Sequence, residues 1–331
     1  MEELPGEGVE GEDSSGKLLT LATPLVRSRV LGRFLGFDGM PVYLKWEGAN
    51  PTGTHKDRAA LLHARRASEL GVRVVTAGTC GNYGVALAYY AKVFGLKAVI
   101  FAPESYENGR VGEMVKYGAD VVFVDGKYED AVEASVEVAE ANGWYDANPG
   151  GRNGGLSVEA YSGIAEEIVA ELGDAPYAVA VPVGNGTTLA GVYRGFLRMY
   201  KEGYATSVPK LLASTTSHAN QLASLWFGGK AEPDRVVETW VNEPLVAVKA
   251  LDAELALEAL RTTGGGVYTF EDEEMVEAAL LVRALEGVPA LPASASAILA
   301  LAKLTEKEEV EGPLVAVVTG RWRGKLRRPL F

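Results

Sequence analysis

Ala178-Val-Ala-Val-Pro-Val-Gly-Asn-Gly-Thr-Thr-Leu-Ala-Gly191 decides the fold class. Its first six residues form an apolar run of strand length. Gly184-Asn185-Gly186-Thr187-Thr188 closes that run, and residues 187–200 then carry helical spacing. A strand with no polar face, a Gly-rich turn and a helix make the repeating half of a parallel sheet with crossover helices. The same alternation extends outward in both directions. Strand-like runs fall at 42–46, 72–77, 98–102, 121–125, 210–214 and 314–318. Helical spacing falls at 56–69, 82–94, 109–117, 128–142, 158–172, 252–260, 271–285 and 293–304. The expected fold is α/β, with mostly parallel sheets and helices on both faces.

The chain has 331 residues, enough for one large or two ordinary domains. Hydrophobic residues at 47% and charged residues at 23% are the balance of a soluble globular protein. Lys plus Arg is 32 and Asp plus Glu is 44, a net charge of −12, which argues against nucleic acid and anionic membranes as partners. The basic end from Arg321 to Arg328 is read as a solvated tail. Cys80 is the single cysteine, so neither a disulfide framework nor a cysteine zinc cluster is available. His55, His63 and His218 are too few and too scattered for a histidine metal site. No apolar run reaches membrane-spanning length, and the N-terminus lacks a signal-peptide pattern. A cytoplasmic enzyme is expected. Residues 1–17, rich in acids and glycine, read as a disordered acidic tail.

In open α/β sheets, ligands gather at the carboxyl ends of strands, so the turns there carry the functional information. Gly184–Thr188 brings backbone N–H groups and two hydroxyls to a helix N-terminus, which suits a phosphate. It is not a Walker A loop, because no Gly-Lys-Ser/Thr ends it, nor the dinucleotide fingerprint, because Leu189 stands where the third glycine belongs. An ordinary βα turn is the plain alternative. Asn50-Pro51-Thr52-Gly53-Thr54-His55-Lys56-Asp57-Arg58 puts a lysine at a helix start, where the helix field disfavours the ammonium. A lysine so placed suits Schiff-base or general-base chemistry; the alternative is a surface side chain reaching solvent. Asp57 and Arg58 are read as a structural charge pattern. Gly78-Thr79-Cys80-Gly81-Asn82 offers small donors and backbone amides that suit a carboxylate. A nucleophilic Cys80 lacks a candidate His–Asn partner pair.

These segments together resemble the pyridoxal-phosphate enzymes of fold type II, the tryptophan synthase β-like family. Asn50–Arg58 is similar to the family's N-P-T-G-S-x-K-D-R segment, whose lysine forms a Schiff base with the cofactor. Thr79-Cys80-Gly81-Asn82 is similar to its S/T-x-G-N loop, where the asparagine meets the cofactor ring and its neighbours hold the substrate carboxylate. Gly184–Thr188 resembles its phosphate loop. Thr319-Gly320 resembles the late Ser/Thr-Gly whose hydroxyl meets the pyridine nitrogen. Within the family the chain is most similar to the threonine synthases, through Asn50–Arg58, Glu171–Pro176 and Asn148-Pro149-Gly150-Gly151-Arg152. The last is one residue longer than the branch's Asn-Pro-x-Arg. It departs too in Cys80, in His55 beside the lysine, and in Leu291-Pro292-Ala293-Ser294, which lacks the family's acid.

The resemblance implies a lyase that uses pyridoxal 5'-phosphate to turn O-phosphohomoserine and water into threonine and phosphate. Lys56 would be catalytic. Lys56, Asn82, Gly184, Asn185, Gly186, Thr187, Thr188 and Thr319 would bind the cofactor, and Thr79, Cys80, Gly81, Asn148 and Arg152 the substrate. It also implies a homodimer acting on a small amino acid, and a smaller domain inserted in a larger one. The smaller spans 57–150; the larger takes in 18–56 and 151–331. The rival readings are elimination or replacement at Cβ of serine-like substrates, and a non-catalytic scaffold that keeps the fold.

Overall fold

A computed structural model describes residues 21–34, 36, 39–79, 81–104, 110–229 and 237–324. Cys80, Gly109, the 1–17 tail and residues 325–328 of the basic end lie outside the described residues. The described residues form two compact units, one within 21–23 and Ala49–Asn148, the other within Pro24–Gly48 and 149–324.

The first unit holds a four-stranded parallel sheet. Its strands are β3 (Val74–Gly78), β4 (Lys97–Pro103), β5 (Asp120–Val124) and β6 (Tyr145–Asp146), in the order β5-β4-β3-β6. Helices α2 (Lys56–Glu69), α3 (Asn82–Val93), α4 (Arg110–Lys116) and α5 (Tyr128–Asn142) make the crossovers. β4 is buried at six of its seven positions, which is why its sequence shows a continuous apolar run and no alternation. Gly78 lets α5 lie directly on the sheet, since a Cβ there would stand 2.4 Å from the Val132 backbone nitrogen.

The second unit holds a six-stranded sheet in the order β1-β2-β10-β7-β8-β9. The strands are β1 (Leu25–Arg27), β2 (Val42–Trp46), β7 (Ala178–Pro182), β8 (Lys210–Thr216), β9 (Gly266–Phe270) and β10 (Leu314–Val318). All pairs are parallel except β1 with β2. The helices are α1 (Leu31–Phe34), α6 (Gly154–Leu172), α7 (Thr187–Lys201), α8 (Gln221–Trp226), α9 (Ala253–Thr262), α10 (Asp272–Glu286) and α11 (Pro292–Thr305). α11 packs across β7, β8 and β10, and its buried Ile298, Leu301 and Leu304 join Leu44, Leu212 and Leu314 in one core. Each such side chain taken fully out of water contributes about 2 kcal/mol. α7 lies against α6 at Gly191 and Gly195, where an added Cβ would meet the Val158 and Ser162 carbonyl oxygens at 2.5 and 2.3 Å. Lys45 is fully buried in β2 and pairs with Glu167 and Glu171 of α6, each at 2.9 Å.

The α/β fold with mostly parallel sheets is the one expected. The division between units differs in detail from the sequence expectation. The first break falls at Gly48/Ala49 and not after residue 56, so Lys56 lies in the smaller unit. The reason is local, because the turn before Lys56 is hydrogen-bonded to the first residues of α2. α6 begins at Gly154, four residues before the expected start at 158. β1, β6, β9, α1 and α8 were not expected.

Candidate functional site

From β2, in the second unit, the chain runs through a short helical turn, Glu47–Ala49, into the Asn50–His55 turn of the first unit. Gly53, at φ 86°, takes the left-handed conformation that a side chain resists, and its N–H donates to the Asn50 carbonyl at 2.8 Å. Asp57 fixes the turn from inside. One carboxylate oxygen accepts the Thr52 N–H at 3.1 Å and the other accepts the Thr52 hydroxyl at 2.5 Å. Burial pushes the Asp57 carboxyl up to about 6; the Thr52 hydrogen bonds act in the opposite direction and lose to the desolvation. Burial and the neighbouring Asp57 charge hold the Tyr90 phenol, on α3, well above its ordinary value. Arg58 donates to the Thr23 hydroxyl at 3.1 Å, so Asp57 and Arg58 each brace a different segment. Lys56 is the first residue of α2, half-buried, and its N–H donates to the Thr54 hydroxyl at 3.3 Å.

The second turn leaves β3. Thr79 is buried, its N–H donates to the Phe101 carbonyl at 2.8 Å, and its hydroxyl accepts the Gly81 N–H at 3.5 Å. Asn82 opens α3. Asn148 lies beside this turn because β6 pairs with β3. Its side-chain oxygen accepts the Gly78 N–H at 2.9 Å, and its amide donates to Ser135 at 2.8 Å and to Asp146 at 2.7 Å. The geometry makes Asn148 a brace of the turn, where a substrate ligand was expected, because both its amide hydrogens and its oxygen bond to protein. Tyr83 donates to the Ala147 carbonyl at 2.6 Å and acts as wall. His63 is buried against Tyr145 at 3.2 Å, and burial lowers it to about 4, so it is neutral at pH 7. Arg110, which sequence reasoning passed over, donates to the Thr52 carbonyl at 3.5 Å and pairs with Glu113 at 3.0 Å.

In the second unit, β7 ends in Gly184–Thr188. The first helical hydrogen bond of α7 runs from Ala190 N–H to the Gly186 carbonyl at 3.0 Å. The N–H groups of Thr187, Thr188 and Leu189 precede that bond, as helix geometry requires, and point out of the helix start where an anion binds. The loop is wedged from behind. A Cβ on Gly184 would stand 2.7 Å from the Pro244 carbonyl oxygen, and one on Gly186 would stand 2.7 Å from that of Asp252. Gly186 also holds φ 91°. The Asn220 amide bonds to the Val183, Gly184 and Leu245 carbonyls at 3.2, 3.3 and 2.7 Å. Asp252 donates its N–H to the Asn185 carbonyl at 2.9 Å, and its carboxylate accepts the Thr187 hydroxyl at 2.5 Å.

Thr319 follows β10, the neighbour of β7 in the sheet, so its hydroxyl and the Gly184–Thr188 loop share one carboxyl edge. That hydroxyl is 2.8 Å from the Ser294 hydroxyl at the start of α11. Arg152 is exposed, in the turn before α6. Asn220, Asp252 and Ser294 were missed by sequence reasoning. Only Ser294 had a signal, in the segment that departs from the family's Glu-Pro-Ala-Ser. Among the described residues no helix is long and apolar enough to cross a membrane.

The pyridoxal-phosphate dependent enzyme family matches residues 17–320. Threonine synthase of Methanocaldococcus jannaschii is 33% identical, the match covering 97% of this chain and 78% of that protein. Threonine synthase of Synechocystis sp. is 29% identical over 92% of this chain and 77% of its own. The crystal structure of pyridoxal 5'-phosphate-dependent aspartate racemase superposes with a TM-score of 0.78 at 20% identity, covering 93% of each chain, a likeness of fold. The residues present fit such a cofactor. A lysine amine opens α2, a glycine turn that tolerates no Cβ presents helix-start N–H groups, and a hydroxyl pair stands at the end of β10.

Proposed function

The chain belongs to the pyridoxal-phosphate-dependent enzyme family and is a lyase with pyridoxal 5'-phosphate as its cofactor, and on that premise we propose that it is a threonine synthase. The reaction converts O-phosphohomoserine and water to threonine and phosphate. The observation that carries the reading is the threonine synthase match that spans 97% of the chain and takes in Asn50–Arg58.

Lys56 would hold the cofactor, the N–H groups at Gly184–Thr188 would take its phosphate, and Asn82 and the Thr319 hydroxyl would hold its ring. When bound, the cofactor supplies an electron sink for charge that develops at the substrate's Cα. The Lys56 amine, once free, removes the Cα proton and then a Cβ proton. Phosphate leaves from Cγ, the two protons taken up are returned to Cγ and Cα, and water gives its hydroxyl to Cβ and its remaining proton to the released phosphate. A hydroxyl at Thr319 accepts or donates one hydrogen bond without placing a charge on the ring nitrogen, unlike a carboxylate. Thr79, Cys80 and Gly81 hold the substrate carboxylate through small donors and main-chain N–H groups. Arg152 binds the leaving phosphate, and its exposure in the turn before α6 keeps its guanidinium accessible to an anion. Asn148 supports this site by bracing Gly78. The protein acts as a cytoplasmic homodimer.

The test is turnover of O-phosphohomoserine by cofactor-loaded protein, with phosphate and threonine both measured. Equal release of the two products supports the reading. No turnover, together with pyruvate or a β-substituted product from serine-type substrates, replaces it with elimination or replacement at Cβ.

A further inference from the structure

The 251–252 segment wraps the cofactor loop with four contacts, and they do not all serve an anion. The Asp252 N–H donates to the Asn185 carbonyl at 2.9 Å, and the Leu251 N–H donates to the Asn185 side-chain oxygen at 3.4 Å. The Asp252 carbonyl fills the space beside Gly186 that a Cβ would need. These three contacts shape the turn. The fourth is the 2.5 Å bond from the Thr187 hydroxyl to the Asp252 carboxylate. It is of charge-assisted length, and it directs the one hydroxyl proton of Thr187 at a carboxylate. A hydroxyl has a single proton to donate, so Thr187 cannot give the same proton to a phosphate. The carboxylate also sets a negative charge one hydrogen bond from the first residue of α7, where the helix field favours an anion.

We infer that Asp252 is a positioning residue with two opposed effects: it holds the Gly184–Thr188 turn in shape, and its charge limits how tightly the turn binds phosphate. The inference rests on that turn being the cofactor's phosphate site. Thr187 contributes its main-chain N–H to the phosphate, and its hydroxyl is held back by Asp252. A carboxamide at this position keeps an oxygen acceptor for the Thr187 hydroxyl and removes the charge. A methyl group removes both.

The experiment measures the affinity of pyridoxal 5'-phosphate for protein in a Lys56→Ala background, where no covalent link to that lysine contributes, with pyridoxal, which lacks the phosphate, as control. Circular dichroism and the melting temperature check folding of each variant. Asp252→Asn is expected to tighten pyridoxal 5'-phosphate binding several-fold and leave pyridoxal binding unchanged. Asp252→Ala is expected to tighten it less than Asp252→Asn, because it removes the same charge together with the tie to the Thr187 hydroxyl, while the three main-chain contacts remain. Thr187→Val added to Asp252→Asn is expected to leave the gain in place, because the gain comes from the removed charge and the carboxamide oxygen still holds the Thr187 hydroxyl. Equal or weaker binding by a folded Asp252→Asn protein overturns the inference. Gly184→Val separates the two levels of the argument. If it abolishes the phosphate-dependent part of binding while Asp252→Asn brings no gain, the turn is the phosphate site and Asp252 has no such role. If neither variant alters phosphate-dependent binding, both the site and the inference are overturned.

Discussion

The turn before Lys56 and the turn before Thr187 are both Gly-containing entries to helices, yet they are held in shape by different physics. The first is held from inside by a carboxylate: Asp57, fully buried, takes both the N–H and the hydroxyl of Thr52. The second is held mostly from outside by main chain, with the Pro244 and Asp252 carbonyls against Gly184 and Gly186 and the Asn220 amide across three carbonyls. On the proposed roles, the contrast teaches that a reactive amine and an anion cradle need different supports. A titratable brace makes the lysine turn sensitive to pH. A steric brace makes the phosphate turn sensitive to volume.

The largest effect that bears on this contrast is chemical. Lys56→Ala is expected to lower kcat by at least about a thousandfold while leaving the melting temperature near that of the parent, since the proposal makes this side chain the acid–base group and not a packing element. A loss of stability in step with activity would mean that Lys56 belongs to the brace. Gly186→Val comes next. It forces a side chain onto a φ of 91° and against the Asp252 carbonyl, and is expected to cost roughly 3 kcal/mol of unfolding free energy in denaturant titration. A cost under about 1 kcal/mol would show that the turn gives way, and the steric half of the contrast would fail.

Asp57→Asn probes the titratable half. Folding raises this carboxyl from 3.8 to about 6, so the native state holds more protons than the unfolded state between those values. Stability from this group is therefore full below about pH 4, falls as pH rises through 6, and stays lower above it, a span of about 2–3 kcal/mol. Tyr90 stays neutral throughout, because its phenol is held above its ordinary value. The asparagine variant is expected to lack this decline when unfolding free energy is measured against pH. Parallel profiles for variant and parent would contradict the raised carboxyl. The smallest effect is for Asn220→Ala, which removes an amide shared by three carbonyls and the cap of α8, at about 1–2 kcal/mol in the same assay.

The same contrast governs what could be read from sequence. The parallel sheets were legible because β4, β7 and β10 are buried on both faces and write themselves as unbroken apolar runs. β6 has two residues and β1 three, too short for any pattern to register. The helix-start lysine and the glycines of both turns were legible because each needs its residue type in place. Their braces were not. Asp252 lies 65 residues from Thr187 and Asn220 lies 37 from Val183, separations that local spacing does not bridge. Asp57 was visible as a charge at a helix start, but its burial depends on how α2 and α3 pack, which local spacing does not encode. Asn148 was picked out for a substrate and is bonded to Gly78, Ser135 and Asp146, a role fixed by the pairing of β6 with β3.

The central claim is that Lys56 is the residue to which the cofactor is joined. The most direct measurement is borohydride reduction of the cofactor-loaded protein, followed by digestion and mass mapping. The account predicts one pyridoxyl group, on the peptide that contains Lys56. A pyridoxyl group on any other lysine, with Lys56 unmodified, would contradict it.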